Sequence, residues 1–104
     1  CIDLRGKLTL RELCVLVSLC RGTINQEGLY HHIAAAFDKP AITIYTFLDP
    51  SYSAYNTTLV VSAISEISCA PCFNAKFCQH DEILCSTEIP VETVLELAKS
   101  NNII

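Results

Sequence analysis

The chain has 104 residues and a formal net charge of -4 at pH 7. This length suggests one domain, and a composition with 51% hydrophobic and 17% charged residues excludes a disordered tail. The negative charge argues against a nucleic-acid-binding protein, and no apolar run is long enough to span a bilayer. Because the first residue is Cys1 and not methionine, we expect a fragment, the C-terminal part of a larger protein.

The first predicted element is a helix over residues 10–20. Thr9 and Glu12 match the capping-box pattern, in which each side chain binds the backbone N–H of the other residue. Apolar residues then follow at helical spacing and occupy the other side as well, which predicts a largely buried helix that ends at Gly22. Cys14 and Cys20 lie in this helix and are predicted to be buried thiols.

A short strand, a turn, a helix and a second strand are predicted next. Residues 23–25 are expected to form a short buried strand, and residues 29–38 form a helix that Pro40 ends. Residues 41–45 are β-branched and aromatic, so they read as a strand. The order strand, helix, strand implies a parallel crossover, and ligands of such sheets bind beyond the carboxyl ends of the strands. The loops over 25–28 and 46–50 both lie at that edge.

The turn that opens the second helix is the candidate ligand site. A helix start presents free backbone N–H groups and the positive end of the helix dipole, which suit a phosphate. Gly28 is predicted to be a turn glycine with positive φ. His31 and His32 are adjacent, so they cannot both face inward. One of them is a candidate diphosphate ligand; in the alternative, both are polar residues of a helix start.

The second half contains a strand, an irregular segment and a closing helix. Asp49 is expected to cap the turn that follows it, and residues 51–57 read as a surface loop. The next segments are a possible strand over 58–62, an ambiguous stretch over 63–67, an irregular segment over 69–85 and a helix over about 90–100. The buried stripe predicted for this closing helix consists of Val91, Val94, Leu95 and Ala98.

Four cysteines are clustered in the irregular segment with the spacing C-x2-C-x5-C-x6-C. They are Cys69, Cys72, Cys78 and Cys85. Four thiolates in a short segment suit tetrahedral zinc, which would brace a loop that has little core of its own. The spacing is tighter than in the usual pair of zinc knuckles, and the alternative is free thiols. The total of seven cysteines is odd, so internal disulfides cannot pair them all.

These motifs, taken in order, resemble the C-terminal domain of the heptosyltransferase family, glycosyltransferase family 9. That family shows a helix opened by Gly-Lys-x-Ser/Thr-Leu-x-Glu, which residues 6–12 match. An acidic turn with glycine, a histidine, an alanine-rich helix and Lys/Arg-Pro before a strand then match residues 27–45. Further matches are Asp49-Pro50, a Cys-x-Pro-Cys segment over 69–72 with further cysteines, and a closing helix that begins with Ile-x-x-Glu-x-Val at Ile89.

The resemblance implies an α/β fold with a Rossmann-like parallel sheet, the C-terminal half of a GT-B glycosyltransferase. Residues 1–104 would be one partial domain that binds a nucleoside diphosphate sugar, such as an ADP-heptose. The enzyme would move a heptose or related sugar onto a lipopolysaccharide core acceptor in the cytoplasm, with the inner face of the membrane as a further option. The N-terminal half, with the acceptor site and general base, is absent, so this chain alone should not catalyse transfer. The rival hypothesis is a small metal-stapled α/β binding or structural module without transferase activity.

The resemblance also implies which residues bind the donor. The commonest turn in the family is Asp-Ser/Thr-Gly-x-x-His. Without gaps, Glu27 takes the place of the aspartate, His32 that of the histidine, and Leu29 stands where glycine is usual. Alignment on Gly28 would favour His31 instead; we prefer the ungapped alignment.

The donor-binding candidates are therefore Glu27, Gly28, Leu29, His31, His32 and Thr46. Glu27 would repel a phosphate, so its functional interpretation is a contact to a sugar hydroxyl, and its alternative is a favourable charge at a helix N-terminus. Thr46 stands where the family usually has glycine. Neither a catalytic residue nor an organic cofactor is assigned to the chain.

Overall fold

The computed structural model describes residues 2–62, 67–74 and 77–104. The ambiguous stretch over 63–67 thus lies outside the described residues except for Ile67. The elements are α1 (Leu10–Leu19), β1 (Thr23–Gln26), α2 (Leu29–Ala36), β2 (Ala41–Tyr45), a 3-10 helix (Pro50–Tyr52), β3 (Thr58–Ser62), α3 (Leu84–Thr87) and α4 (Val91–Ser100).

The three strands form a parallel sheet in the order β1-β2-β3. Ile42 in the middle strand pairs with Ile24 of β1 and with Leu59 of β3. The predicted α/β fold with a parallel sheet is confirmed. The expectation that residues 23–25 are buried is wrong, because β1 is an edge strand of the described sheet and Ile24 remains 45% exposed.

Helix α1 begins with the predicted capping box. The backbone N–H of Thr9 donates to the Glu12 carboxylate at 2.7 Å, and the N–H of Glu12 donates to the Thr9 hydroxyl at 3.3 Å. The bonds from Thr9 hold the pKa of Glu12 below its ordinary value. They also provide partners for two N–H groups that the helix itself cannot satisfy.

The prediction of a largely buried α1 is wrong. Val17 is buried, but Leu10 is 62% and Leu19 79% exposed, and the thiols of Cys14 and Cys20 are only half-buried. One face of the helix packs against α2 and the start of β2. The apolar residues elsewhere on α1 have too little of the described chain against them to become buried.

Gly22 follows α1 but does not end it in the predicted way. The helix ends at Leu19, and Cys20 caps it with an extended backbone. A Cβ atom on Gly22 would lie 2.6 Å from the Pro40 carbonyl oxygen and 2.8 Å from Ile103 Cγ1. Glycine is therefore needed here because the chain passes close to its neighbours.

Helix α2 covers one face of the sheet, and α4 packs on the central and third strands. Ala34 of α2 is fully buried with Ala41, but Ala36 is exposed, so only part of the alanine run serves tight packing. The helix ends two residues before the predicted limit of 38, and Asp38 adopts a positive φ of 52° beyond it.

The closing helix α4 has a different buried stripe from the predicted one. Ala98 is buried, and Val94 and Leu97 pack partly buried beside it against Ile42 of the sheet. Val91 and Leu95 are 66% and 42% exposed, so their predicted burial is wrong. The predicted helical period is correct, but the helix is rotated on the sheet. Leu97 therefore packs against the core in place of Val91 and Leu95. Within the described ranges, none of the helices is both long and apolar enough to cross a bilayer.

Candidate functional site

The loops that follow β1 and β2 meet at the carboxyl edge of the sheet. The backbone N–H of Glu27 donates to the Ile44 carbonyl at 3.2 Å, which extends the pairing of the two strands by one residue. A cavity of about 120 Å³ lies between the loops, and Glu27 and Thr46 both line it. Two of the predicted site residues are thus brought together at the edge where parallel sheets bind ligands.

Gly28 is the N-cap of α2 and has φ 142° and ψ -151°. The prediction of a positive φ is confirmed. These angles belong to a region that is essentially restricted to glycine. They turn the chain out of the sheet edge directly into the helix, whose first N–H groups have no partner within the helix. Leu29, the first residue of the helix, exposes about half of its side chain.

His31 is completely buried and ties the turn to the loop after β2. Its Nε2 atom lies 2.8 Å from the Ser53 carbonyl oxygen. Its Nδ1 atom lies 3.1 Å from the Gly28 carbonyl oxygen and accepts a long bond of 3.5 Å from the Gly28 N–H. Both ring nitrogens face backbone groups, so His31 holds two loops in place.

His32 is exposed and faces Tyr55. Its Nδ1 atom and the Tyr55 hydroxyl are 2.9 Å apart, and the rings meet edge to face at 86° with centroids 5.7 Å apart. The expectation that only one of the two histidines faces inward is confirmed. If the Tyr55 hydroxyl donates to Nδ1, Nε2 carries the proton and can donate to a ligand.

Three residues that the sequence did not single out hold the loop after β2 in place. Tyr45 is fully buried, and its hydroxyl lies 3.0 Å from Ser53 Oγ. Burial raises the pKa of Tyr45, and the charge of Glu27 raises it further. Tyr55 completes the group. The tyrosines of the loop over residues 51–57 are visible in the sequence. Sequence alone does not show which residues this loop contacts.

Asp49 caps the 3-10 helix, as expected from the sequence. Its carboxylate accepts a hydrogen bond of 2.8 Å from the backbone N–H of Ser51. Hydrogen bonds with Ser51 lower the pKa of Asp49. The cap shapes the turn that brings the Ser53 carbonyl to His31.

Residue types that can bind a metal occur close together in sequence in two parts of the chain. Glu27, His31 and His32 have ligand atoms within 4.8 Å of one another. Among the described residues, they form the one group of three or more such side chains that could hold a metal ion. His31 already uses both nitrogens, which leaves Glu27 and His32 for a ligand. No three of the described residues Cys69, Cys72, Cys78 and Cys85 have sulfurs within that distance of one another, and the zinc prediction stays a prediction.

The fold and the edge site define an α/β protein of the Rossmann-like class with a helix start that suits an anionic ligand. A model of glycosyltransferase family 9 (heptosyltransferase) matches residues 1–82, and the chain belongs to this family. The predicted family is confirmed. The three-stranded parallel sheet is consistent with part of a GT-B glycosyltransferase.

Two curated relatives match half of the chain. Lipooligosaccharide heptosyltransferase 2 of Haemophilus influenzae is 34% identical over 53 residues, which are 51% of this chain and 15% of the relative. Lipopolysaccharide heptosyltransferase 2 of Salmonella typhimurium is 26% identical over 53 residues, with the same coverage. The matched part thus spans about 15% of the length of these relatives. No solved structure gives a significant match.

Proposed function

We propose that this chain is the donor-binding part of a glycosyltransferase that moves a heptose or related sugar from a nucleoside diphosphate to a lipopolysaccharide-type acceptor. The observation that carries this proposal is the family match over residues 1–82 together with a helix start at the carboxyl edge of a parallel sheet. The names of the two relatives support the sugar and the acceptor class. We also propose action in the cytoplasm, with the inner face of the membrane as a further option, as the resemblance to this family implies.

The diphosphate of the donor would lie at the start of α2. Gly28 has no side chain that would separate a phosphate from the backbone, and a Cβ there would have open space within 4 Å. The N–H groups of Leu29 and Tyr30 are in the first turn, where the helix offers no acceptor for them. As the diphosphate departs it gains negative charge, which fixed N–H donors and the helix dipole stabilise.

His32 is the side chain that we propose for a direct phosphate contact. It is exposed, and Tyr55 at 2.9 Å fixes the orientation of its ring. His31 is fully buried and satisfied by Gly28 and Ser53, so it would act as a positioning residue for the turn. His32 would thus contact the ligand, and His31 would hold the turn in place.

Glu27 and Thr46 would bind the neutral part of the donor. Both line the cavity of about 120 Å³ beside the helix start. A carboxylate accepts hydrogen bonds from sugar hydroxyls but repels phosphate, so we place the sugar at Glu27 and the diphosphate at Gly28. Thr46 adds a hydroxyl at the same edge.

A further part of the enzyme would complete the site on the outer side of β1. A groove of about 600 Å³ follows that strand, and most of its lining from α1 is apolar, including Leu13 and Leu16. Within the described residues β1 is the edge strand on this side, and an edge strand can pair with another strand. We propose that the N-terminal half of the enzyme, with the acceptor site and general base, docks on this side.

Calorimetric titration with an ADP-sugar tests donor binding by the reduced, folded chain. We expect saturable binding that weakens by at least about tenfold in His32→Ala, since a hydrogen bond to a charged group contributes roughly 1.5–3 kcal/mol. Tyr55→Phe should weaken binding less, because it leaves the imidazole in place and frees only its orientation. The matched control is His80→Ala, which removes an exposed histidine of the cysteine-rich segment.

Two results would count against the proposal. Absence of binding by a sample with native circular dichroism would favour the α/β module without transferase activity. Equal affinity in His32→Ala and the unchanged chain would show that His32 makes no contact with the phosphate.

A further inference from the structure

Three side chains with metal-binding groups converge at the start of α2. Glu27 follows β1 directly, and His31 and His32 lie in the first turn of the helix. A carboxylate oxygen of Glu27 and one ring nitrogen of each histidine lie within 4.8 Å of one another. Two imidazoles and one carboxylate form a ligand set that binds divalent first-row transition metals and leaves coordination positions open. The three residues thus combine suitable ligand types with suitable spacing.

The buried ring of His31 has one strong and one weak contact. The Ser53 carbonyl can only accept a hydrogen bond, so Nε2, at 2.8 Å from it, carries the ring hydrogen. In the neutral ring Nδ1 then presents a lone pair, yet it lies 3.1 Å from the Gly28 carbonyl oxygen, which is also an acceptor. The Gly28 N–H donates to Nδ1 at 3.5 Å, beyond the usual range of about 2.7–3.2 Å. A cation beside Nδ1 would give both acceptors a partner and leave the bond to Ser53 intact.

His32 likewise has one nitrogen that is held and one that is available. Its Nδ1 atom lies 2.9 Å from the Tyr55 hydroxyl, which can accept a hydrogen bond as well as donate one. With the ring hydrogen on Nδ1, the Nε2 atom presents its lone pair. Histidines that bind a metal almost always donate their other ring N–H to a neighbouring acceptor, which fixes the tautomer and the orientation of the ring. Ser53 is that neighbour for His31, and Tyr55 is that neighbour for His32.

We propose that Glu27, His31 and His32 bind one divalent transition-metal ion through a carboxylate oxygen, Nδ1 and Nε2, and that its open positions take oxygens of a diphosphate. The second part rests on the proposed function. The helix dipole places roughly +0.5 charge at the start of α2, which disfavours a cation, but the full negative charge of the Glu27 carboxylate outweighs it. The second carboxylate oxygen remains for a sugar hydroxyl. His32, which would contact the phosphate directly without a metal, would hold it through the ion.

Titration of the whole chain with Co²⁺, without any sugar donor, tests the metal site. We expect saturable binding with the weak visible absorption of a site made of nitrogen and oxygen ligands. Glu27→Gln and His32→Ala should each lower the cobalt affinity at least about tenfold, because loss of even an outer partner of a ligand costs about 10–100-fold. The matched control is His80→Ala, which removes the remaining histidine of the chain and should bind cobalt unchanged. An absorption that consists only of an intense thiolate-to-cobalt band would overturn the proposal, because the ion would then lie on cysteines.

NMR of the unchanged chain keeps the test independent of how well the variants fold. Bound Co²⁺ strongly shifts the signal of the other ring N–H of each histidine that ligates it, so we expect two such signals, from His31 and His32. One shifted signal, or none, from a chain with native circular dichroism overturns the three-residue site.

Titration with an ADP-sugar in excess chelator separates this proposal from the proposed function. Both cobalt-shifted signals in a chain that binds no donor would support the metal site and count against the proposed function. Donor binding by a chain that shows neither signal would overturn the metal site alone.

Discussion

At the residue scale, Gly28 decides whether α2 can begin where it does. Its φ of 142° and ψ of -151° lie in a region that is essentially restricted to glycine, and any other residue held there costs roughly 1–3 kcal/mol. We predict that Gly28→Ala lowers the free energy of unfolding by about that amount. Urea unfolding followed by circular dichroism measures it. A Cβ would meet nothing within 4 Å, so backbone conformation and not a clash is the cause.

Gly6→Ala is the matched control for this prediction. Gly6 also has a positive φ, of 68°, and a Cβ atom there would likewise meet nothing within 4 Å. That angle belongs to the ordinary left-handed region, which costs roughly 1–2 kcal/mol. If Gly6→Ala lowered the free energy of unfolding and Gly28→Ala left it unchanged, the backbone at residue 28 would not be restricted to glycine as described.

The two histidines show which features of individual residues can be predicted from sequence and which cannot. Adjacent positions on a helix point about 100° apart, so one buried and one exposed histidine could be predicted. Which one is buried depends on the Ser53 carbonyl, which lies 22 positions along the chain from His31. The partner of His32, Tyr55, is 23 positions away. Neither contact leaves a periodic pattern, so Tyr55 could not be found from sequence.

At the element scale, Thr9 should stabilise the start of α1. Its hydroxyl accepts the N–H of Glu12, and its own N–H donates to the Glu12 carboxylate. We predict that Thr9→Ala lowers the free energy of unfolding by about 1 kcal/mol, the usual cost of losing such a cap. Urea unfolding at neutral pH checks this, with Thr93→Ala on the exposed part of α4 as the control.

Acid should reduce the difference between Thr9→Ala and the unchanged chain. The pKa of Glu12 is lower in the folded chain than its ordinary value of 4.5. Such a group stabilises the fold above the ordinary value, and its contribution is lost as the pH falls through the folded value. The variant keeps the backbone N–H of residue 9, so a penalty that stayed constant down to pH 2 would show that the Thr9 hydroxyl does not donate to the Glu12 carboxylate.

Element positions were more predictable than the faces they bury. The capping box, the β-branched run over 41–45 and the proline before α4 are local signals, and the elements begin close to them. Burial depends on which surfaces meet. Val91 and Leu95 were expected inside α4 but are exposed, while Leu97 packs against the core around Ile42. The helical period predicts a stripe of apolar residues but not the rotation of the helix on the sheet.

At the scale of the whole molecule, the described chain carries exposed apolar side chains on α1 and β1. Leu10, Leu19 and Ile24 are each at least 45% exposed, although their sequence pattern is that of a core. The opposite side, where α4 covers β2 and β3, is closed by Ala98 and its neighbours. This difference is consistent with the proposal that the N-terminal half of the enzyme docks beside β1.

The stability of the whole chain should fall at alkaline pH because of Tyr45. Its side chain is fully buried and its pKa is raised above the ordinary value of 10.0, so the folded state favours the neutral phenol. With a folded pKa above the unfolded one, the contribution is complete below about pH 10 and is lost as the pH rises through the folded value. We expect Tyr45→Phe to show a smaller fall in the free energy of unfolding between pH 9 and 11. The same slope in Tyr45→Phe and in the unchanged chain would contradict this, and Tyr52→Phe, which alters a 78% exposed tyrosine, should leave the slope unchanged.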